Sequence, residues 1–271
     1  MVKTIDLTPR IGSQIEADID TLLSGSAAAD IRRIIHERGV VCFSEINLSD
    51  AEQVAFAKTM GAIVQHGAAG GIFKITLDKR QNPISARYIK GSFFWHIDDT
   101  LDDVPNFAPL LSARKLPATG SQTEFANTYA AYDDLPESEK EHLDTLKVVH
   151  DLETAQRFIN PAPTYAELQS WQHRPPKINP LVWRHRSGRK SLVLGTSASH
   201  IENMSPPEGR ALLCRLTEWV TQPRYVYQHQ WKVGDLVIWD NTGTMHRAAP
   251  YALDSGRMMH RTTLVGEEAL A

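Results

Sequence analysis

Cysteine is nearly absent from this chain. Only Cys42 and Cys214 occur in 271 residues, far apart and outside any CxxC or Cys-His spacing, so neither a disulfide framework nor a zinc ribbon is expected. A reducing, cytoplasmic setting fits that usage. An excess of one charge is missing too: the formal net charge is -3 and the pI near 6.4, without the basic footprint of a nucleic-acid binder or a protein of anionic membranes. A small molecule is the expected partner. Long apolar runs are lacking, so no membrane span is expected. Residues 1–20 carry Asp6, Glu16, Asp18 and Asp20 rather than the apolar stretch of a signal peptide. With no repeat, low-complexity tract or long polar linker, one domain over residues 1–271 is expected. The 42% apolar content is sufficient for a core.

What is present reads as strands interrupted by a few helices. Asp30 to Arg38 predicts a helix closed by Gly39, and Val40, Val41, Cys42 and Phe43 then predict a buried strand. Ser49 three residues before Glu52 is a capping box, after which Val54, Ala57 and Met60 recur at helical spacing until Gly61. Ser205, Pro206 and Glu208 open another helix, with Leu212, Leu216 and Trp219 on one face. Strands are expected at Ile72 to Leu77, Leu110 to Ala113, Leu181 to Trp183, Leu192 to Leu194, Tyr225 to Trp231, Leu236 to Trp239 and Met258 to Val265. Most follow one another without an intervening helix, which argues against a parallel βαβ sheet. The expected fold is mainly β: a double-sheet jelly roll with flanking helices. Residues 136–180 begin as a charged helix, but Pro161, Pro163, Pro175 and Pro176 predict a loop or lid beyond it.

Three His-x-acid triplets compete as metal ligands: His96-Ile97-Asp98, His142-Leu143-Asp144 and His200-Ile201-Glu202. On a helix, residues two apart point to nearly opposite sides, so His142 and Asp144, within the helical stretch Glu137 to Lys147, cannot converge and read as solvated surface. On a strand or its frayed end they point the same way. His96 and Asp98 follow the apolar run Phe93, Phe94, Trp95, as a strand leaving a core would. His200 and Glu202 follow a loop, Gly195 to Ser199, which weakens fixed geometry. Two His and one carboxylate on one face are the ligand set of non-haem iron(II) oxygenases, so a distant second His is needed.

That His stands in the block from Trp231 to Ala248, which contains Gly234-Asp235, Trp239-Asp240-Asn241 and Thr244-Met245-His246 and is followed by Arg257 and Arg261. Together with Trp95-His96-x-Asp98 and Gly120-Ser121-Gln122-Thr123, this block resembles the taurine dioxygenase and 2,4-dichlorophenoxyacetate dioxygenase family. The resemblance runs from Gly39-Val40-Val41 to the end. Its spacings agree at several points: Thr123 lies 27 and His246 150 residues after His96, and Arg257 and Arg261 lie 11 and 15 after His246.

The resemblance implies an enzyme dependent on iron(II), 2-oxoglutarate and O2 that hydroxylates or oxidatively cleaves a small organic acid, releasing succinate and CO2. It implies His96, Asp98 and His246 as iron ligands and Arg257, assisted by Thr123, as the partner of the far carboxylate of 2-oxoglutarate. A planar guanidinium suits a carboxylate bidentately. Arg261, four residues on and expected on the same strand face, is implied at the substrate's acid group, and His66, followed by the glycine-rich and expectedly mobile Gly67 to Gly71, as a further substrate contact. An aryloxyalkanoate-like carboxylate is favoured over a sulfonate or alkyl sulfate, and assembly into a dimer or tetramer is expected. Asp99 and Thr242 depart from the family, where a small residue and Arg are common. A non-catalytic acid-binding jelly roll is the alternative of another class, and a metal-dependent hydrolase is disfavoured because no HExxH motif occurs.

Overall fold

The computed structural model describes residues 2–66, 70–82 and 88–270. In chain order its strands are β1 (Lys3–Asp6), β2 (Ser13–Glu16), β3 (Val40–Phe43), β4 (Phe73–Ile75), β5 (Ala108–Lys115), β6 (Thr123–Asn127), β7 (Lys147–His150), β8 (Lys177–Pro180), β9 (Val182–Arg184), β10 (Lys190–Leu192), β11 (Ala198–Ile201), β12 (Val226–His229), β13 (Leu236–Trp239), β14 (Thr244–Ala248) and β15 (Met258–Leu264). The helices are α1 (Ile19–Leu23), α2 (Ala28–Arg38), α3 (Asp50–Met60), α4 (Thr128–Asp133), α5 (Glu137–Leu143), α6 (Leu152–Arg157), α7 (Tyr165–Gln172) and α8 (Pro206–Val220).

A seven-stranded sheet in the order β1-β2-β3-β13-β5-β15-β4 is the backbone of the molecule, and a three-stranded sheet β12-β6-β14 faces it. Only β2 and β3 pair in parallel within the large sheet. Continuous apolar runs in β3, β5 and β13 have a simple cause: both faces of the sheet are covered, so alternate residues enter different cores. Val41, Phe43, Leu110, Leu236 and Ile238 join Ile31, Ile35, Phe56 and Met60 in a core under α2 and α3. Val40, Cys42, Leu111, Val237 and Trp239 instead meet Phe125 and Met259 between the two sheets. A third core lies beneath α4 and α8 and includes Ile97, Met245, Leu213 and Leu216.

The capping box at Ser49 and Glu52 forms as read, and Gly39 closes α2 at φ 72° with its N–H on Ile35 O. The α8 start differs. Ser205 Oγ donates to the Glu208 carboxylate at 2.5 Å instead of capping a backbone N–H. Its buried face is Gly209, Leu213, Leu216 and Val220, while Leu212 and Trp219 stay half-buried. Trp219 there keeps its indole N–H on Ala131 O.

The run before His96 is not a strand. Ile89–Phe93 is a 3-10 turn, because its aromatic rings have partners outside any sheet: Phe93 packs edge-on against Tyr251 and Phe94 against Phe158. Residues 136–180 are more regular than the prolines suggested. They contribute β7, the middle strand of a sheet β11-β7-β8, and Pro180 is accommodated at a strand end of an edge strand. Residues 67–69 of the expected glycine-rich loop lie outside the described residues. Among the described residues no helix is long and apolar enough to cross a membrane.

Candidate metal centre and active site

Two distant segments clasp each other to build the centre. The His96 N–H donates to His246 O at 3.1 Å and the His246 N–H to His96 O at 2.9 Å, so the two backbones are locked in antiparallel register at a single bridge. The imidazoles follow, with ring centroids 4.1 Å apart. Asp98, two residues past His96, comes to the same side. Its Oδ1 is 3.6 Å from His96 Nε2 and its Oδ2 3.9 Å from His246 Nε2. One ligating atom from each of the three lies within 4.8 Å of the others.

Details around the triad favour ligation. His96 Nδ1 sits 2.8 Å from Phe94 O, which places the ring hydrogen on Nδ1 and leaves the Nε2 lone pair facing Asp98. Burial, with the neighbouring His96, drives the His246 imidazole well below its ordinary pKa despite the Asp98 charge. It is therefore a neutral donor. Burial alone would raise the Asp98 carboxyl, but nearby positive charge, the Arg261 guanidinium first, outweighs it and holds the group low, ionised at neutral pH. Two imidazoles and a carboxylate match iron(II).

Gly195 packs against this bridge at φ 117°, where a Cβ would fall 2.9 Å from the His96 Cα. Gly195→Ala is expected to cost about 1–3 kcal/mol through backbone strain, at roughly 2–4 °C per kcal/mol for a chain of this size. Thermal unfolding checks it, and an unchanged melting temperature would show that the His96 backbone yields freely.

Arg261 reaches the triad from β15. Its Nη1 donates to Asp98 Oδ2 at 3.0 Å, its guanidinium lies 5.5 Å over the Phe73 ring, and its Nε is buried without a partner among the described residues. A cavity of about 340 Å³ opens here, with Phe73, Ile75, Tyr88, Ile89 and Ile159 around His96, Asp98 and Arg261. Arg257 stands one residue before β15 and borders a different cavity, with Tyr251. A register shift between Met258 and Met259 interrupts the regular alternation between the two arginines.

Arg257 is 3% exposed, its guanidinium lies 4.8 Å from the Tyr251 ring centroid, and its Nε has no hydrogen-bond partner among the described residues. Burial opposes its charge and lowers its pKa. An enclosed guanidinium of this kind fits an anionic ligand. Thr123 is buried on β6, two residues from Phe125, whose ring is 6.4 Å from His246. The Trp231 indole N–H donates to Thr123 Oγ1 at 2.9 Å, which leaves the hydroxyl hydrogen for another acceptor. The His66 ring lies tilted against Phe73, with centroids 5.3 Å apart; burial and then Arg261 depress its pKa.

The rival triplets stay apart from the centre. His142 is exposed as read, but Asp144 is not simply solvated. Half-buried, it accepts from Tyr132 Oη, Arg184 and Lys190 at 3.0, 2.7 and 2.6 Å. His200 contacts Ser199 through Nδ1. Several contributors were given no role at the site by the sequence reading: the Phe94 carbonyl, Gly195, and Trp231 and Trp239 of the C-terminal block, the Trp239 ring being 4.7 Å from His246. Backbone groups carry no residue signature, whereas the tryptophans flanking Gly234-Asp235 stood in the block that carries the resemblance.

A sequence model described as "Taurine catabolism dioxygenase TauD, TfdA family" matches residues 3–263. The alpha-ketoglutarate-dependent 2,4-dichlorophenoxyacetate dioxygenase of Burkholderia sp. (strain RASC) is 36% identical over 90% of this chain and 87% of its own. Its namesake from Cupriavidus pinatubonensis (strain JMP 134 / LMG 1197) is 33% identical over 96% of both. A crystal structure of AAD-2 in complex with Mn(II) and N-oxalylglycine superposes with a TM-score of 0.85 at 32% identity, covering 100% of each chain. Site and relatives together define a non-haem iron(II)- and 2-oxoglutarate-dependent dioxygenase, an oxidoreductase that uses O2. The chain belongs to the TauD, TfdA family.

Proposed function

We propose that His96, Asp98 and His246 hold the iron, that Arg257 and Thr123 hold the far carboxylate of 2-oxoglutarate, and that Arg261 receives the acid group of an aryloxyalkanoate-like carboxylate, with His66 behind Phe73 as a further contact. The observation that carries this reading is the Arg261 guanidinium, alone of its kind among the described residues of an otherwise largely apolar and aromatic cavity, beside His96 and Asp98. Such a cavity takes a molecule with one anionic end and a hydrophobic body. The relatives named for a chlorinated phenoxyacetate support the choice.

When bound, the metal and 2-oxoglutarate supply oxygen activation, with succinate and CO2 as by-products. This chain's residues position and enclose. Arg261 fixes one end of the substrate so that a neighbouring C–H faces the metal, and the apolar wall of Phe73, Ile89 and Ile159 excludes water. Ala155, Gln156 and Ile159 border the same cavity, and we read residues 136–180 as an insert covering it within one domain. The two facing sheets across Phe125, Trp239 and Met259 are read as a double-stranded β-helix, or jelly roll.

Arg261→Ala tests the substrate assignment. Metal and 2-oxoglutarate are expected still to bind, while succinate release coupled to the acid falls and a neutral amide of the same compound is affected much less. Equal losses for acid and amide would make Arg261 structural. A panel of carboxylates, sulfonates and alkyl sulfates ranks the head groups; sulfates turned over faster than aryloxyacetates would replace the carboxylate reading.

A further inference from the structure

Asp98 is the least anchored of the three triad residues by its own backbone. His246 lies in β14 and His96 is bridged to it, but Asp98 begins a turn, and Asp99 after it adopts φ 61°. A non-glycine residue in the left-handed region needs support from its surroundings. One side chain provides it. Asn241 Oδ1 accepts from the Asp98 N–H at 2.9 Å, while Asn241 Nδ2 donates to Asp98 O at 3.1 Å and to Asn106 O at 3.0 Å. Both amide hydrogens and the oxygen are thereby used. The next link holds Asp99, whose carboxylate accepts from Asn106 Nδ2.

Asn241 can impose this geometry because its own position is rigid. It is 0% exposed, and its N–H donates to Phe107 O at 2.9 Å. The adjacent Asp240, also fully buried, donates its N–H to Gly39 O and accepts at its carbonyl from Thr244 Oγ1. The Asp240 carboxylate accepts from the Thr242 N–H and hydroxyl and from Tyr129 Oη. The turn between β13 and β14 is thus pinned on every side, and five residues after Asn241 it delivers His246.

We propose that Asn241 is a positioning residue for the metal centre: one rigid turn sets His246 through the chain and Asp98 through the Asn241 amide, so that both ligands are indexed to the same element. This rests on the reading of Asp98 as a metal ligand. Partners that orient metal ligands typically contribute 10–100-fold in metal affinity.

The test uses Mn(II) alone, with binding read from the loss of the free-ion electron paramagnetic resonance signal, on the full chain and its variants. Asn241→Ala removes all three bonds. Asn241→Asp is nearly isosteric and keeps the acceptor for the Asp98 N–H, but sets a carboxylate oxygen against two carbonyls. Both are expected to weaken Mn(II) binding by roughly 10–100-fold, and whichever of the two folds gives the answer. Leu48→Ala, in the core under α2 and α3, is the control for a general lesion: its melting temperature falls while its Mn(II) affinity stays within about twofold of the parent. Asn241 variants that bind Mn(II) as tightly as the parent, or a Leu48→Ala loss of affinity equal to theirs, overturn the proposal. Asp98→Ala separates it from the reading beneath: retained Mn(II) binding there removes Asp98 as a ligand, whereas loss there with unchanged Asn241 variants removes only the role of Asn241.

Discussion

His96→Ala or Asp98→Ala is expected to abolish stable metal binding and turnover together. Each change removes one of three ligating groups that lie within 4.8 Å of one another, and metal affinity depends on ligand count and geometry. The effect extends beyond the lost donor. In His96→Ala the His246 ring also loses the imidazole packed against it at 4.1 Å, so the two remaining ligands are held less firmly. His142→Ala, at an exposed helical position, is expected to leave both properties unchanged. Metal content after dialysis and succinate release check the contrast. Equal loss from His142→Ala and His96→Ala would mean that the ligand set is misassigned.

Arg257→Ala is expected to raise the 2-oxoglutarate concentration needed for half-maximal activity by roughly 30- to 5,000-fold, the range that corresponds to about 2–5 kcal/mol for truncating one partner of a buried charge pair. Burial is the reason for expecting the large end of such effects: the guanidinium is 3% exposed, so water cannot replace it at a carboxylate. Binding of the primary acid is expected to change far less, since Arg261 and not Arg257 lines the cavity at His96 and Asp98. Initial rates over a 2-oxoglutarate series measure the shift. An unchanged dependence would remove Arg257 from the cosubstrate site.

The parts of this site that were legible in the sequence are those where residue type alone implies chemistry. His96-x-Asp98, the distant His246, and the arginines 11 and 15 residues beyond it stand out because ligands and anion partners need particular side chains. Local rules also located α2, β3, α3 and β13, where capping residues and apolar runs act over short distances. What stayed hidden depends on contacts distant in sequence. β6 and β14 went unrecognised because Thr123–Asn127 and Thr244–Ala248 mix polar with apolar residues, and their pairing with each other and of β6 with β12 makes them strands. The Phe93-Phe94-Trp95 run looked like a strand because hydrophobicity does not reveal whether a ring packs on a sheet neighbour or, as here, on Tyr251 and Phe158. The prolines after Pro161 masked β8 because an edge strand can end on proline. Asn241 stood in the C-terminal block, but its role stayed hidden, since its three bonds run to backbone atoms of residues 98 and 106.

The most direct test of the account is the stoichiometry of coupled turnover: the parent protein supplied with iron(II), 2-oxoglutarate, O2 and an aryloxyacetate such as 2,4-dichlorophenoxyacetate, with succinate and oxidised acid both quantified. Succinate formed in equal proportion to oxidised acid, dependent on iron(II) and lost in Asp98→Ala, is the predicted result. Oxidation of the acid without succinate, or succinate release that persists when iron is chelated, would contradict it.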